Sequence, residues 1–543
     1  MDKLSFRVPH PLTALPNDDP PLMDTIDTIR SPLGDAKLTL DGSAKPLSYF
    51  LTTILVIIFA YSMQGSKMNT PSINPKGKFE LTDSRPKQRY LAGAREMMYS
   101  WFKTNPNKPV RLVSDMGETI VLPPSMANEI RNHAHLSFTQ FAAEFFQTKT
   151  PGFDAFREGT RDSITLIVIN KDLTKALAKV TEPLADETSL ALRDIFTDSK
   201  EWHAIPMRPT ILHFIARISS RVFLGTELCR NEEWLTITKE YTMNGFSAAD
   251  RLREWPRFMR PIVHWFMPGC QKARSQIVQA AEIIKPIIEK RRALKAAAIA
   301  DGRTPPEFND AIDWFEAASK GKHYDPAISQ LFFSTVAIHT TTDLLGQVLV
   351  DIARNPEIIE PLRNEIIDVL SAGGWKKTSL YSMKLLDSVV KESQRMKPLQ
   401  LASMQRVAVG DVTLSDGTFI PKGTSVSVSS HALFDANVYE NPEKWDGYRF
   451  LRMREQPGKE NVSQLVSTAP EHLGFGHGKH ACPGRFFAAN EIKIALVHIL
   501  LQYEWRVPAG ADTSIVDFGI NPCLNPMLEL EIRRREEEVD MKF

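Results

Sequence analysis

Cys482 stands in the stretch of the sequence best suited to chemistry. It follows a glycine-containing segment, residues 475–478, and precedes Gly484, Arg485 and an apolar run with helical spacing, residues 486–501. A cysteine presented at a helix N-terminus beside cations is favoured as the thiolate, because N–H groups and positive charges stabilise the anion. The residues therefore predict a reactive or metal-binding sulfur in this loop.

The residues alone leave three interpretations of Cys482 open. A lone thiolate beneath a flat ligand, approached closely by glycines, suggests the axial ligand of haem iron, where thiolate ligation favours cleavage of the O–O bond. The second is a zinc site with His472, His477 and His480, although zinc needs four tetrahedral ligands and the glycine-rich spacing suits that poorly. The third is an inert cysteine buried at the start of a helix.

The pattern Phe475-x-x-Gly478-x-x-x-Cys482-x-Gly484 resembles the haem-binding signature of the cytochrome P450 family. The resemblance implies haem b, iron protoporphyrin IX, held through Cys482 as the axial iron ligand. It also implies that Phe475, Gly478 and Gly484 shape the loop around the cofactor. The sequence departs from the family at His480, where an arginine is usual. We expect His480 to lie at the haem as a second candidate for a propionate.

Two further segments fit the same family. Glu392 and Arg395 resemble its Glu-x-x-Arg pair, and Arg449 resembles the arginine that completes a cluster behind the haem. Residues three apart share a helix face and can pair, although such pairs are commonly exposed surface bridges. Arg406, in a strand-like run, resembles the family's propionate-binding arginine. A surface position on an edge strand is the alternative for Arg406.

Residues 325–355 read as one long helix that is apolar on every side and ends before a proline. The resemblance identifies it as the oxygen-activating helix and aligns Thr341 with the oxygen-side threonine. Thr340 stands where the family has an acid, and Ile338 where glycine is common. Thr341 and Thr340 are therefore the expected catalytic hydroxyls. Bonding of threonine hydroxyls to helix carbonyls is the alternative, and we expect His339 to be a core histidine.

The elements that must position these residues are mostly helices. Helical spacing of apolar residues covers residues 142–146, 164–180, 211–223 and 277–299. Strand-like runs are short and late, at residues 407–414, 418–420 and 426–428. We therefore expect a mainly α fold with a small β portion. The resemblance covers nearly the whole chain after about residue 67 and makes this the haem-thiolate fold of the cytochrome P450 family.

Composition excludes several classes of protein. Hydrophobic residues make up 43% and charged residues 24% of the chain, the balance of a globular protein. The net charge of +1 gives no field that would attract nucleic acid. Four scattered cysteines form no disulfide framework. No glycine-rich dinucleotide motif is present, so the resemblance implies electrons from a partner, NADPH–cytochrome P450 reductase, with cytochrome b5 as a second donor.

An uncharged run precedes the body of the chain. No charged residue occurs between Lys45 and Lys67, a stretch of 21 residues. As a helix, residues 46–66 would cover ~31 Å, about one hydrocarbon core. A signal peptide would begin nearer the N-terminus, and a buried globular helix would carry a polar face. We expect a single transmembrane anchor.

The flanking charges orient this anchor. Residues 1–45 have a net charge of −2 and residues 67–90 one of +4, and basic residues favour the cytoplasmic side. We therefore expect a lumenal, disordered segment at 1–45, the anchor at 46–66, a linker at 67–90 and a cytosolic haem-thiolate catalytic domain at 91–543. The expected location is the endoplasmic reticulum membrane.

The resemblance implies a monooxygenase that places one atom of O2 into a substrate with NADPH-derived electrons. Residues 122–124, 151–153 and 219–225 look most like fungal members that oxidise secondary metabolites. The expected substrate is a bulky, apolar terpenoid, indole-terpenoid or polyketide. Residues 255–266, crowded with aromatics, are expected at the membrane-facing entrance or in a packed helix pair. Two other functions stay open, a haem-thiolate isomerase or dehydratase and a non-catalytic membrane haem-binding module.

Overall fold

The computed structural model of the protein describes residues 49–50, 52–53, 68–80, 82–159 and 164–537. The chain divides into two units, Met1–Ser66 and Lys67–Phe543. The predicted segment 1–45 and almost all of the predicted anchor lie outside the described residues. No helix in the described part of the chain is both long and apolar enough to cross a bilayer.

The second unit is mainly α-helical, as predicted. Its α-helices in chain order are α1 (Ser84–Thr104), α2 (Ala127–Ile130), α3 (Phe138–Phe145), α4 (Asp154–Arg157), α5 (Ile164–Ile167), α6 (Thr174–Phe196), α7 (Met207–Leu224), α8 (Glu232–Glu254), α9 (Arg260–Val263), α10 (Pro268–Ala300), α11 (Ala311–Ser319), α12 (Pro326–Arg354), α13 (Ile359–Gly373), α14 (Lys377–Ser382), α15 (Lys384–Met396), α16 (Arg449–Arg454) and α17 (Arg485–Gln502). A π-helical stretch, Val168–Leu173, joins α5 to α6.

The strands form small sheets at the side of the helices. They are β1 (Val110–Ser114), β2 (Gly117–Leu122), β3 (Leu136–Ser137), β4 (His203–Pro206), β5 (Ala402–Ala408), β6 (Val412–Thr413), β7 (Phe419–Ile420), β8 (Ser425–Ser429), β9 (Tyr503–Arg506), β10 (Ile515–Phe518), β11 (Asn521–Leu524) and β12 (Glu529–Arg534). The largest sheet has the order β1-β2-β8-β5-β3, with β2 and β8 parallel and the other pairs antiparallel. The others are β4-β12-β9, β10-β11 and β6-β7.

Helix α12 runs through the middle of the helical part and packs against α7, α8, α10 and α15. Asp325 caps its first turn, because the carboxylate accepts hydrogen bonds from the N–H groups of Ala327 and Ile328 at 2.9 and 3.1 Å. The helix ends at the cap residue Asn355, before a proline. The prediction of one long helix at 325–355 is confirmed.

The other predicted helices lie within or across observed ones, with one difference. The runs 211–223 and 277–299 fall within α7 and α10, and 142–146 overlaps the end of α3. The run 164–180 is not one continuous α-helix, because the π-helical stretch interrupts it. Apolar spacing predicts a helical run, but it does not distinguish α-helical from π-helical hydrogen bonding over a stretch of six residues.

The β portion is larger than predicted. Strands β1 and β2 were missed because they are buried over most of their length on both faces, so apolar residues do not alternate. Of the predicted late runs, β6 and β7 form a hairpin with Gly417 at a φ of +83°, and β8 contains 426–428. The run 407–414 is divided, because β5 ends at Ala408 and the chain turns before β6.

Part of the predicted linker at 67–90 is packed on the body. The buried Asn74 side chain donates to the Val113 carbonyl at 3.0 Å and accepts from the Val113 N–H at 2.7 Å. Helix α1 begins at Ser84, and Tyr90 within it is buried. The predicted four-part division stays a prediction, because its boundaries at 45 and 66 lie outside the described residues.

Candidate active site

The loop that carries Cys482 is closed by its own backbone. The Cys482 N–H donates to the Phe475 carbonyl at 2.8 Å, and the Ala481 N–H donates to the Gly478 carbonyl at 3.0 Å. Gly476 and Gly478 have φ values of 68° and 79°, a conformation that residues with a side chain rarely adopt. Helix α17 then begins at once, so the cysteine is presented at a helix N-terminus, as predicted.

Gly478 is also held against a neighbouring segment. A Cβ atom at this position would lie 2.6 Å from the Cβ of Arg131, which is closer than atoms can approach. The next residue, Lys479, donates its N–H to the side-chain oxygen of Asn132 at 3.1 Å. Gly478 is therefore required for its positive φ and for the close contact with the chain after α2.

Cys482 carries a free thiol. Burial raises the pKa of the Cys482 thiol above its ordinary value, while the N–H groups of Gly484 and Arg485 and the Arg485 guanidinium act against that rise. Arg485 also donates to the Cys482 carbonyl at 2.8 Å. The helix N-terminus and its arginine act in the predicted direction, but burial has the larger effect. A thiolate here therefore needs a bound cation to balance its charge.

The histidines near the cysteine have other partners. His472 bonds through Nε2 to the side-chain oxygen of Gln394 at 3.0 Å, and His477 bonds through Nε2 to that of Asn128 at 3.0 Å. In the part of the chain that the structure describes, no three His, Cys, Asp or Glu side chains come together as metal ligands. The geometry gives no zinc site and favours a single-sulfur ligand.

Arg406 is buried without a counter-ion. It lies on β5, which has β8 and β3 as neighbours, so the alternative of an exposed edge strand is wrong. Its Nη1 donates to the Gln405 carbonyl at 2.7 Å, and its guanidinium lies 5.7 Å from the centre of the Phe138 ring. Its Nε has no partner, and no carboxylate among residues 68–537 that are described pairs with it. Burial lowers the pKa of Arg406 to about 10.

His480 lies beside this arginine. The centre of its ring is 5.4 Å from that of Phe138. Burial, with the charges of Arg406 and Lys479, lowers the pKa of His480 to about 4, so the ring is neutral at physiological pH. His480 therefore adds no second positive charge at the position where the family has an arginine.

These residues fit a haem. A buried guanidinium without an anion is unfavourable, and a propionate would supply that anion. A Cβ at Gly484 would meet no atom within 4 Å, so space is open beside the cysteine. The thiol of Cys482 would provide the iron ligand, and Arg406 would hold a propionate.

Glu392, Arg395 and Arg449 form the predicted cluster, which is buried and is not a surface bridge. Arg395 donates from Nε and Nη2 to the two carboxylate oxygens of Glu392, each at 2.8 Å. Arg449 donates from Nε to the same oxygens at 3.0 and 3.1 Å. Glu392 and Arg395 are fully buried and Arg449 is 5% exposed. One carboxylate thus pairs with two guanidinium groups.

The two arginines also fix the segment that precedes α16. Arg395 donates from Nη1 to the carbonyls of Leu433 and Pro442 at 2.6 and 2.7 Å. Arg449 donates from Nη2 to the Lys444 carbonyl at 2.9 Å. The main-chain carbonyls thus accept hydrogen bonds from the guanidinium N–H groups that do not bond to Glu392. The cluster therefore holds this segment against α15.

Helix α12 carries three consecutive threonines whose hydroxyls differ in their bonding. Thr340 donates to the Val336 carbonyl at 3.0 Å, and Thr342 donates to the Ile338 carbonyl at 2.7 Å. Thr341 is buried, and its hydroxyl makes no hydrogen bond with any residue that the structure describes. Bonding to helix carbonyls therefore applies to Thr340 and Thr342, and it leaves Thr341 available.

His339 has the core role that was predicted for it. Its Nε2 lies 3.1 Å from the Lys239 carbonyl on α8. Burial lowers the pKa of His339 to about 4, so the neutral ring donates this hydrogen bond. The contact joins α12 to α8.

Asp387 is the centre of a second buried charge cluster, which sequence reasoning missed. On α15, it accepts from Arg454 and Lys493, each at 2.6 Å, and from the Leu465 N–H at 2.8 Å. Although burial acts to raise it, the pKa of Asp387 is lowered by the charges of Lys493 and Arg454. No local pattern marks Asp387, because an isolated helical aspartate resembles a surface charge and its partners lie far along the chain.

Replacing Arg406 by Met should affect the haem-free and haem-loaded proteins in opposite directions. Without haem, the variant no longer buries an unpaired charge, so its free energy of unfolding should not fall. With haem, a propionate loses its cation, and transfer of haem to apomyoglobin should become about tenfold faster or more. Urea unfolding of the haem-free protein and the haem-transfer rate measure the two effects.

Arg406→Lys is the control for this experiment, because it keeps the charge and should release haem more slowly than Arg406→Met. A haem-free protein that is destabilised by Arg406→Met, combined with an unchanged haem-transfer rate, would show that Arg406 has a purely structural role.

Replacing Glu392 by Gln should destabilise the protein strongly. The change leaves two buried guanidinium groups without a carboxylate, a loss of about 3–5 kcal/mol. The matched control is Arg452→Gln, which removes the exposed pair with Asp446 on the same segment and should cost less than about 1 kcal/mol. Thermal stability and haem content distinguish the two. Similar losses in both variants would contradict the importance of the buried cluster.

Comparison with known proteins places the chain in a family. Residues 154–526 match the family model described as Cytochrome P450. The chain is 51% identical over 490 residues to the cytochrome P450 monooxygenase hepE of Aspergillus oryzae, with 89% of each chain covered. It is 46% identical over 493 residues to the cytochrome P450 monooxygenase TRI1 of Fusarium sporotrichioides, with 90% of each covered.

Two further similarities agree with this result. The chain is 40% identical over 523 residues to the dihydromonacolin L monooxygenase LovA of Aspergillus terreus, covering 95% of this chain and 99% of the relative. The retinoic acid-bound cyanobacterial CYP120A1 has the same fold, with a TM-score of 0.60 over 83% of this chain and 96% of that one. At 18% identity this likeness concerns the fold alone.

The named relatives decide among the functions that the sequence left open. They are monooxygenases, and none is named as an isomerase, a dehydratase or a haem-binding module. The protein is an oxidoreductase that uses haem iron, O2, a redox partner and a small-molecule substrate. As its haem signature predicted, the chain belongs to the cytochrome P450 family.

Proposed function

We propose that this monooxygenase oxidises a bulky, apolar secondary metabolite of the terpenoid, indole-terpenoid or polyketide class. The observation that carries the proposal is the similarity to fungal monooxygenases over 89% to 95% of the chain. One of these relatives is named for dihydromonacolin L. A cofactor of the haem b type is part of the proposal.

A group of aromatic rings beside α12 supports an apolar substrate. Its members are Phe145, Phe146, Phe156, Tyr241 and Phe246, contributed by α3, α4, α8 and the residue after α3, with neighbouring ring centres 4.9 to 5.8 Å apart. Phe145, Phe146 and Phe246 are only partly buried. Accessible aromatic surface inside a fold favours an apolar ligand over a polar one.

The reaction requires the residues of the chain to hold the haem, exclude bulk water and deliver protons. Inserting one oxygen atom into a C–H bond and releasing the other as water consumes two electrons and two protons. Bound haem would supply O2 activation, and thiolate ligation favours cleavage of the O–O bond. Cys482 and Arg406 would hold the haem, and the buried helix α12 keeps bulk water away. Thr341 is the residue that we assign to proton delivery, because its hydroxyl is not bonded to the helix.

The electrons need a partner because NADPH gives up a pair as hydride whereas haem iron accepts one at a time. We propose NADPH–cytochrome P450 reductase as this partner, with cytochrome b5 as a second donor. Lys479 supports the proposal, since its exposed side chain lies in the same loop as Cys482. A positive charge beside the sulfur would attract an acidic docking surface.

We propose a location in the endoplasmic reticulum membrane, with residues 46–66 as the single anchor and the catalytic domain in the cytosol. The uncharged run and its flanking charges of −2 and +4 support it. In the body, the segment between α8 and α10 exposes Trp255, Phe258, Ile262, Trp265 and Phe266, which are 41% to 79% accessible. A packed helix pair, the other expectation for this segment, would bury these side chains.

Protease digestion of sealed microsomes tests this orientation. It should remove a tag placed after Phe543 and spare a tag placed before Met1. The reverse pattern would contradict the orientation.

Reconstitution with the reductase tests the substrate class. The full-length protein in vesicles, supplied with reductase, NADPH and ¹⁸O2, should consume NADPH faster when a bulky apolar scaffold is added. The product should carry one ¹⁸O atom. Cys482→Ala is the control that should form no product. Turnover of small polar compounds, with none of the apolar scaffolds accepted, would overturn the proposal.

Replacing Thr341 by Ala should separate NADPH consumption from product formation. The variant should bind haem and substrate as the parent does but form less product and more hydrogen peroxide per NADPH. A group that transfers a proton directly is worth ~10²–10⁴ in rate, and peroxide release makes the loss in NADPH consumption smaller. The matched control is Thr342→Ala, since this hydroxyl is bonded to the helix and points ~100° away. If Thr341→Ala formed as much product per NADPH as the parent, the assignment of Thr341 to proton delivery would be contradicted.

A further inference from the structure

Strand β5 contains an irregularity next to Arg406. In its pairing with β8, Ser403 stands opposite Val428 and Arg406 opposite Val426. Met404 and Gln405 therefore share one partner position on β8, which is a β-bulge. Met404 has a φ of 54°, in the left-handed region that residues other than glycine rarely adopt. Strained residues of this kind persist where the surrounding structure imposes them, and they cluster at functional sites.

The bulge places Gln405 in a narrow cleft between α3 and the five-stranded sheet. Phe141 and Phe145 line one side of the cleft, and Ser425 and Ser427 of β8 line the other. The volume of the cleft is about 40 Å³. This is room for one functional group or a few water molecules and not for a polycyclic scaffold.

Three polar side chains of this cleft, those of Gln405, Ser425 and Ser427, have no partner among the described residues. The side chain of Gln405 is half-buried, and its amide makes no hydrogen bond with any described residue. The Ser425 and Ser427 hydroxyls likewise make none within the described ranges. Polar groups inside a fold are normally hydrogen-bonded. An amide and two hydroxyls without partners can therefore bind a ligand group that donates or accepts hydrogen bonds.

The cleft adjoins the candidate active site, because it is lined by Phe145 of the aromatic group and by Gln405, the residue before Arg406. The next residue is Arg406, whose Nη1 donates to the Gln405 carbonyl at 2.7 Å. By contrast, Gln400 in the same cleft already donates from its side chain to the side-chain oxygen of Asn521 at 3.1 Å. Of these two glutamines, Gln405 is therefore the one with an amide free for a ligand.

We propose that this cleft binds a neutral hydroxyl or carbonyl group of the substrate, and that Gln405 is the residue that recognises it. The proposal rests on the proposed function, because the apolar scaffold would pack on the aromatic rings while its oxygen-bearing end enters the cleft. A neutral group is favoured over a carboxylate, since the described residues that line the cleft include Asp115, which pairs with Arg253 at 3.2 Å, and no lysine or arginine. The amide of glutamine serves either group, because it both donates and accepts.

A pair of probe ligands tests the proposal on the haem-loaded, full-length protein. The ligands are 2-decalol and decalin, which share an apolar frame and differ by one hydroxyl, and binding is followed as a shift of the haem Soret band. The parent should bind 2-decalol about tenfold more tightly than decalin, and Gln405→Leu should abolish that preference. Gln400→Leu, the matched control, should keep it. Gln405→Asn is the second variant if Gln405→Leu does not load haem, and its shorter amide should reduce the preference.

Three outcomes would count against specific parts of this account. A preference for 2-decalol that survives in Gln405→Leu would show that another group recognises the hydroxyl, and it would overturn the assignment of Gln405. Equal binding of the two ligands by the parent would show that the cleft holds only water, and it would overturn the subsite. Failure of the haem-loaded parent to bind either ligand would instead contradict the proposed apolar substrate class.

Discussion

The carboxylate of Glu392 pairs with the guanidinium groups of Arg395 and Arg449 in a region that water does not reach. Other donors of both arginines bond to main-chain carbonyls. The arginines therefore hold the chain before α16 in place through the same side chains that pair with Glu392. The same helix, α15, carries Asp387, which holds Lys493 on α17. α17 starts at the cysteine loop, so the position of the sulfur depends on the buried charges of α15.

Nearer to the site, Arg406 and Cys482 are buried groups whose charged forms the described residues do not fully compensate. Among the described residues, Arg406 is a buried cation without an anion, and burial raises the pKa of the Cys482 thiol although the Arg485 guanidinium acts against that rise. A group that brings an iron cation to one and carboxylates to the other satisfies both. Binding of the cofactor would therefore supply the missing partners of Arg406 and Cys482, whereas the side chains around Glu392 have their partners without it.

Two elements near the site each present a polar side chain that has no hydrogen bond within the described residues. On α12, Thr340 and Thr342 are bonded to helix carbonyls, which leaves the hydroxyl of Thr341 between them available. On β5, a bulge at Met404 places the amide of Gln405 in a cleft while Arg406 stays buried. On β5 a departure from regular pairing exposes the polar group, whereas on α12 the helix stays regular and the middle threonine of three is the one without a bond to it.

The sequence by itself determined the features that are encoded over a few residues. The cap residues and apolar spacing of α12, the glycines around Cys482 and the spacing of Glu392 to its arginine all lie within short stretches, where propensity and helix geometry act directly. Only the tertiary structure decided that Arg406 is buried and unpaired, that Asp387 joins three helices and that Gln405 faces a cleft. Burial and charge pairing depend on residues that are far apart along the chain, and the register of a strand depends on its partner. No local pattern carries that information.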